Sequence, residues 1–149
     1  MLKNYSLSFE VWGLILFLII MIPNFIYFAF PPLHDIFQTN SITETIDKAA
    51  FVSQIFMIIS LCFLKNIKSK KVAFTPLIII AVCFCLLYFA SFLVYYAGII
   101  NGFVILGLTI PPCLAFLFFV LDRKNYIALI FILFFTICHL IYAVVNFII

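Results

Sequence analysis

Five apolar stretches, at residues 11–30, 49–64, 73–97, 102–121 and 126–149, alternate with short polar interruptions along the chain. A helix needs about 20 apolar residues to cross a bilayer. Backbone groups in hydrocarbon must bond within their own segment, so each stretch predicts a transmembrane helix. The first contains Pro23 and Asn24 in its second half, where a kink is tolerable if a neighbour satisfies the freed backbone. It is too long for the core of a signal peptide and ends in Phe-Ala-Phe-Pro-Pro, so it reads as a retained helix. The stretch at 49–64 is short for a span. The preceding Thr-Glu-Thr-Ile-Asp at 43–47 either begins a separate short helix or extends this one. The apolar run after residue 72 is too long for one span, and Gly98, Asn101 and Gly102 mark where it reverses.

Composition supports the same reading. Hydrophobic residues make up 68% of the 149-residue chain and charged residues 9%, with a mean hydropathy of +1.39. A soluble domain carries roughly 25% charged residues, so lipid must be the main solvent. The charges that remain are sorted. Loops 65–72 and 122–125, with Lys3, hold seven of the eight basic residues, whereas loop 31–48 holds His34, Asp35, Glu44 and Asp47 against Lys48 alone. Cytoplasmic loops are enriched in Lys and Arg. The expected architecture is therefore an all-α integral membrane bundle of five transmembrane helices, one domain over 1–149, with the N-terminus cytoplasmic and the C-terminus outside. The expected location is a cell membrane, specifically a bacterial cytoplasmic membrane. Tyr126 beside the second basic loop, and Tyr95 and Tyr96 near the outer turn, are expected in aromatic belts. The net charge of +3 follows from this topology and does not imply nucleic acid.

Polar side chains inside the spans point to the candidate chemistry. On the fifth span Thr136, His139, Tyr142, Ala143 and Asn146 recur at spacings of three and four, and on the third Ala81, Cys85, Tyr88, Ser91 and Tyr95 do the same. Each set occupies one helix face. At about 1.5 Å per residue, Asn24, Tyr88 and His139 lie roughly 20 Å up a core about 30 Å thick. Ser53, Gln54 and Thr109 reach a similar level from the other side. The outer half of the bundle is therefore expected to hold an outward-facing cup lined by Asn24, Gln54, Tyr88, Tyr95, Thr109 and His139, with Pro111 and Pro112 breaking the fourth helix beside it. A mostly apolar cavity with a few polar groups suits a small molecule. The same residue types also bond helices to one another, so interhelical glue is a second reading of the stripes.

The inner half is nearly all apolar. That disfavours a channel, which needs a polar path through the full thickness, and a coupled carrier, which places ionisable groups near the midplane. His34 and Asp35 are adjacent and have no third metal ligand in their loop. No H-E-x-x-H, G-x-S-x-G or phosphate-cradling glycine loop occurs. No enzyme activity, metal or cofactor is expected. The five cysteines, 62, 83, 85, 113 and 138, lie in apolar segments and read as small apolar residues.

The segments Gly-Leu-Thr-Ile-Pro-Pro-Cys from 107, Asp-Arg-Lys-Asn-Tyr from 122 and Cys-His-Leu-Ile-Tyr from 138 resemble small hypothetical membrane proteins of low-GC Gram-positive bacteria, a group that implies no activity. Pro31-Pro32 followed by Phe37, and Ala143 with Asn146, are similar to features of the tryptophan-rich sensory protein (translocator protein) family. Length, five helices and a long first loop agree with that family, although Trp12 is the single tryptophan. This resemblance implies an aromatic pocket for porphyrins or sterols. The expected function is binding or sensing of a small hydrophobic ligand or a lipid. The alternative is a non-catalytic interaction or immunity-type subunit with a membrane protein partner.

Overall fold

The computed structural model describes residues 2–37 and 43–149; residues 38–42 of the expected outer loop lie outside the described residues. Five helices account for most of the chain: α1 (Val11–Ala29), α2 (Glu44–Phe63), α3 (Pro76–Tyr96), α4 (Gly102–Asp122) and α5 (Tyr126–Phe147). All five are long and apolar enough to cross a membrane, so the chain is an all-α, multi-pass membrane protein. Around the bundle, α3 packs along α4, α4 along α5 and α5 along α2. α1 closes the ring between α2 and α3 with far less contact. Met57, Leu61, Val120 and Ile132 fill the centre and are almost fully buried.

Local chemistry sets the helix limits. α2 starts at Glu44, not at residue 49, so the 43–47 segment extends the span. Glu44 and Asp47 stand in its first turn, where the helix dipole favours acids, and Lys48 Nζ lies 2.6 Å from Glu44 Oε1. α3 starts at Pro76, not at residue 73, because Thr75 Oγ1 accepts from the Ile78 amide at 3.3 Å and proline suits the first helical position. The reversal at 98–102 is as expected. Gly98 adopts φ +84° and its amide donates to the Tyr95 carbonyl. Asn101 then caps α4 by accepting from the Val104 amide at 3.0 Å. Lys124 makes the equivalent turn between α4 and α5 at φ 53°. There the Lys124 and Asn125 amides donate to Leu121 and Val120, the usual closure of a helix end by a left-handed residue.

Two expectations need correction. Pro111 and Pro112 do not break α4, which runs continuously through both. The prolines remove only the donors for the Gly107 and Leu108 carbonyls, and packing against α3 holds the helix together. Loop 65–72 is not wholly irregular either. Its first residues form β2 (Leu64–Asn66), which pairs antiparallel with β1 (Tyr5–Leu7) in register Tyr5 with Asn66 and Leu7 with Leu64.

This ribbon helps seal the basic end of the bundle. Glu10, Arg123 and Asn125 are only 5%, 4% and 3% exposed. Arg123 Nη2 lies 3.3 Å from Glu10 Oε2 and donates to Ser69 Oγ at 3.2 Å, while Nη1 donates to the Lys70 carbonyl at 2.7 Å. Lys65 Nζ approaches the same Glu10 oxygen at 3.6 Å. Asn125 Nδ2 donates to the carbonyls of Ser60 and Leu64 at 2.9 and 2.8 Å, and its Oδ1 caps α5 by accepting from Ala128. Asp122 accepts from the Thr75 hydroxyl. These groups bind several segments together, and hydrogen bonds to backbone carbonyls offset part of the cost of burying them, although Arg123 Nε is buried without a partner among the described residues.

Candidate functional site

At the other, acidic end the helices separate around a cavity with two lobes. One lobe, about 230 Å³, lies among α1, α3, α4 and α5 and is lined by Asn24, Tyr27, Phe28, Phe37, Tyr88, Tyr95, Thr109, His139 and Tyr142 among others. The second, about 370 Å³, lies between α1 and α2 and reaches inward to α4 and α5, touching Phe17, Ile20, Asp47, Gln54, Phe116 and Phe135. Asn24, Phe28, Tyr88, Leu108 and His139 line both. The division follows from α1. Its loose packing leaves space on both flanks, and Asn24, with Pro23 next to it on the side of the first lobe, stands where the lobes meet.

All six side chains expected at the cup line this cavity. Five line the first lobe, and Gln54 lines the second. Their bonding sorts them further. Asn24 Nδ2 donates to Tyr88 Oη at 3.4 Å, joining α1 to α3 across the cavity floor. Thr109 donates its hydroxyl hydrogen to the Ile105 carbonyl of its own helix at 2.8 Å. Tyr95, expected in an aromatic belt, is buried instead and donates to Asp35 Oδ1 at 3.2 Å. His139 and Gln54 are different. Both are partly accessible, and neither side chain makes a hydrogen bond among the described residues. The imidazole stacks between Phe135, at 5.1 Å and 15°, and Tyr142, at 6.4 Å and 6°, so its plane is set while its nitrogens stay available. Ser53 serves as interhelical glue, donating to the Phe131 carbonyl at 2.9 Å.

Sequence reading missed the cover. Asp35 accepts from the Tyr27 hydroxyl at 2.6 Å and from the Phe37 amide at 2.9 Å. With the Tyr95 contact, this carboxylate ties the loop after α1 to α1 and α3. It places the Phe37 ring over the first lobe, 4.8 Å from Phe147, 5.3 Å from Tyr95 and 6.2 Å from Tyr27 between ring centres. Tyr96 donates to the Phe30 carbonyl at 2.8 Å and holds the end of α1 to α3. The sequence signal was an Asp two residues before an aromatic in a proline-stiffened loop, a spacing that favours a side-chain bond to the following backbone amide.

The described residues contain no group of three or more His, Cys, Asp or Glu side chains able to hold a metal ion. The cysteines are free thiols, four of them buried and Cys83 exposed. A separate hollow of about 400 Å³ on the outside of α1 and α3 is lined by apolar residues such as Trp12, Ile15, Phe74 and Ile78. Compared with protein families, with curated proteins and with solved structures, the chain matches none.

Proposed function

We propose that this membrane protein binds a small hydrophobic or amphipathic ligand in the two-lobed cavity, and that the binding serves storage or sensing rather than catalysis. One observation carries the reading: His139 stands where the lobes meet, stacked in place by Phe135 and Tyr142, with neither ring nitrogen in a hydrogen bond among the described residues. An imidazole set in plane among aromatic walls gives an apolar ligand its orientation, while the rings supply contact area. The sorting of Lys and Arg to the ribbon end supports placing that end in the cytoplasm and the cavity toward the outside.

Native mass spectrometry of protein released gently from membranes tests this. A bound small molecule at one copy per chain, lost in His139→Ala while the five helices remain folded by circular dichroism, is the expected result. A stable complex with another membrane protein and no retained small molecule, unchanged by His139→Ala, would point instead to an interaction subunit.

A further inference from the structure

We infer that the ligand is a lipophilic cation, an apolar body bearing a quaternary or alkylated ammonium or phosphonium centre; this rests on the pocket reading above. Charge comes first. Among the described residues no Lys or Arg lines either lobe, and Asp47 is the one charged side chain on their walls. Asp47 makes no side-chain hydrogen bond or ion pair among the described residues, and the neighbouring Lys48 is committed to Glu44 at 2.6 Å. An unpaired carboxylate at the edge of a low-dielectric cavity attracts cations and repels anions.

Aromatic faces point the same way. Tyr27, Phe28, Tyr88, Phe92 and Tyr142 contribute rings to the first lobe, and the negative face of an aromatic ring attracts an organic cation. The supply of donors completes the argument. An anionic head needs Arg, Lys or several convergent N–H groups. Here Asn24 Nδ2 is spent on Tyr88 and the Tyr95 hydroxyl on Asp35; the donors that remain, on Gln54, His139 and the hydroxyls of Tyr88 and Tyr142, are neutral groups spread over α2, α3 and α5, with no Lys or Arg among them. The apolar body fits the deeper wall of the second lobe, where Phe17, Ile20, Phe116 and Phe135 converge.

Tetraphenylphosphonium and tetraphenylborate have nearly the same shape and opposite charge, and triphenylphosphine oxide is a neutral relative. Equilibrium dialysis of each against the purified full-length chain in uncharged micelles, corrected for protein-free micelles, reads the preference directly. The phosphonium is expected to bind at one site per chain, at least tenfold tighter than the borate. Asp47→Asn should weaken it about fivefold, the scale of one charge contact near a water boundary, and His139→Trp should abolish it by filling the junction. Because the Asp47 side chain is exposed and makes no hydrogen bond or ion pair among the described residues, acting on His139 and Tyr142 only through its charge, Asp47→Asn leaves the bundle intact. Borate or oxide binding as tight as the phosphonium, and lost in His139→Trp, would overturn the charge assignment and leave the pocket standing. Phosphonium binding unchanged by Asp47→Asn would overturn it as well. If no probe binds in a His139-dependent manner, both the cation inference and the pocket reading fall.

Discussion

Glu10 and Arg123 stand 113 positions apart in sequence and meet as a buried ion pair, Oε2 to Nη2 at 3.3 Å. Removing one partner of such a pair leaves the other charge uncompensated, which costs about 3–5 kcal/mol. Arg123→Ala should therefore lower stability by about 3 kcal/mol, since Lys65 remains near Glu10. Joint replacement by Glu10→Leu and Arg123→Met should recover most of the loss. Equilibrium unfolding in mixed micelles, followed by circular dichroism, measures both. A loss below about 1 kcal/mol for Arg123→Ala, the range of an exposed pair, would contradict the buried pairing.

Asn125 acts at the same end as a cap and as a crosslink. Asn125→Asp keeps the oxygen that caps α5 but loses the donors to Ser60 and Leu64, whereas Asn125→Ala loses all three contacts. Loss of the cap costs about 1 kcal/mol and each unpaired carbonyl about as much. Asn125→Ala is expected to cost about 2–3 kcal/mol in the same assay, and Asn125→Asp at least as much, because it sets a buried carboxylate oxygen against the two carbonyls.

Close helix approach explains a third expectation. A Cβ on Gly107 would lie 2.9 Å from Ser91 Cβ and closer still to its hydroxyl, a spacing that forces α3 and α4 apart. Gly107→Ala should destabilise the bundle by about 1–3 kcal/mol, and Ser91→Gly in that background should restore much of it. Additive losses in the double-mutant cycle would show that the two sites do not touch.

Lys124 occupies the left-handed region at φ 53°, which disfavours any residue with a Cβ by about 1–2 kcal/mol. Lys124→Gly should raise stability by about 0.5–1 kcal/mol after the entropy lost by glycine is counted. A decrease would mean that the lysine side chain contributes more than its backbone costs.

Phe37 covers the first lobe. With the five native cysteines replaced and His139→Cys introduced, a water-soluble thiol reagent should react several-fold faster when Phe37→Ala is added. Equal rates would show that the ring does not control access.

The spans were legible because hydrocarbon demands unbroken apolar runs, and the inward faces of α3 and α5 because polar groups there must find partners. Ala81, Cys85, Tyr88 and Tyr95 are buried, as their spacing indicated, while Ser91 of the same face is only partly buried and bonds back to the Leu87 carbonyl of its own helix. Contacts between distant segments were not legible. β1 and β2 are three residues each, too short to show a pattern, and their pairing depends on where α1 and α2 bring them. Arg123 in a polar tetrapeptide between two spans reads as solvated; its burial follows from Glu10, the Lys70 carbonyl and the Ser69 hydroxyl, none of them near it in sequence. Phe37 stood out only for following a proline pair; its place over the cavity was not legible, because a single aromatic in a polar loop has no periodicity to assign it a face.

α1 is fastened at both tips and slack between them. At one tip, the Glu10 amide donates to the Cys62 carbonyl at 2.7 Å, and Gly13 lies so close to Leu61 that a Cβ there would sit 3.0 Å from it. At the other, Tyr96 and the Asp35 latch hold Phe30 and Tyr27. Between the anchors Pro23, itself buried, removes a backbone hydrogen bond from the helix. The least internally bonded turn of α1 therefore lies beside the wall that the two lobes share.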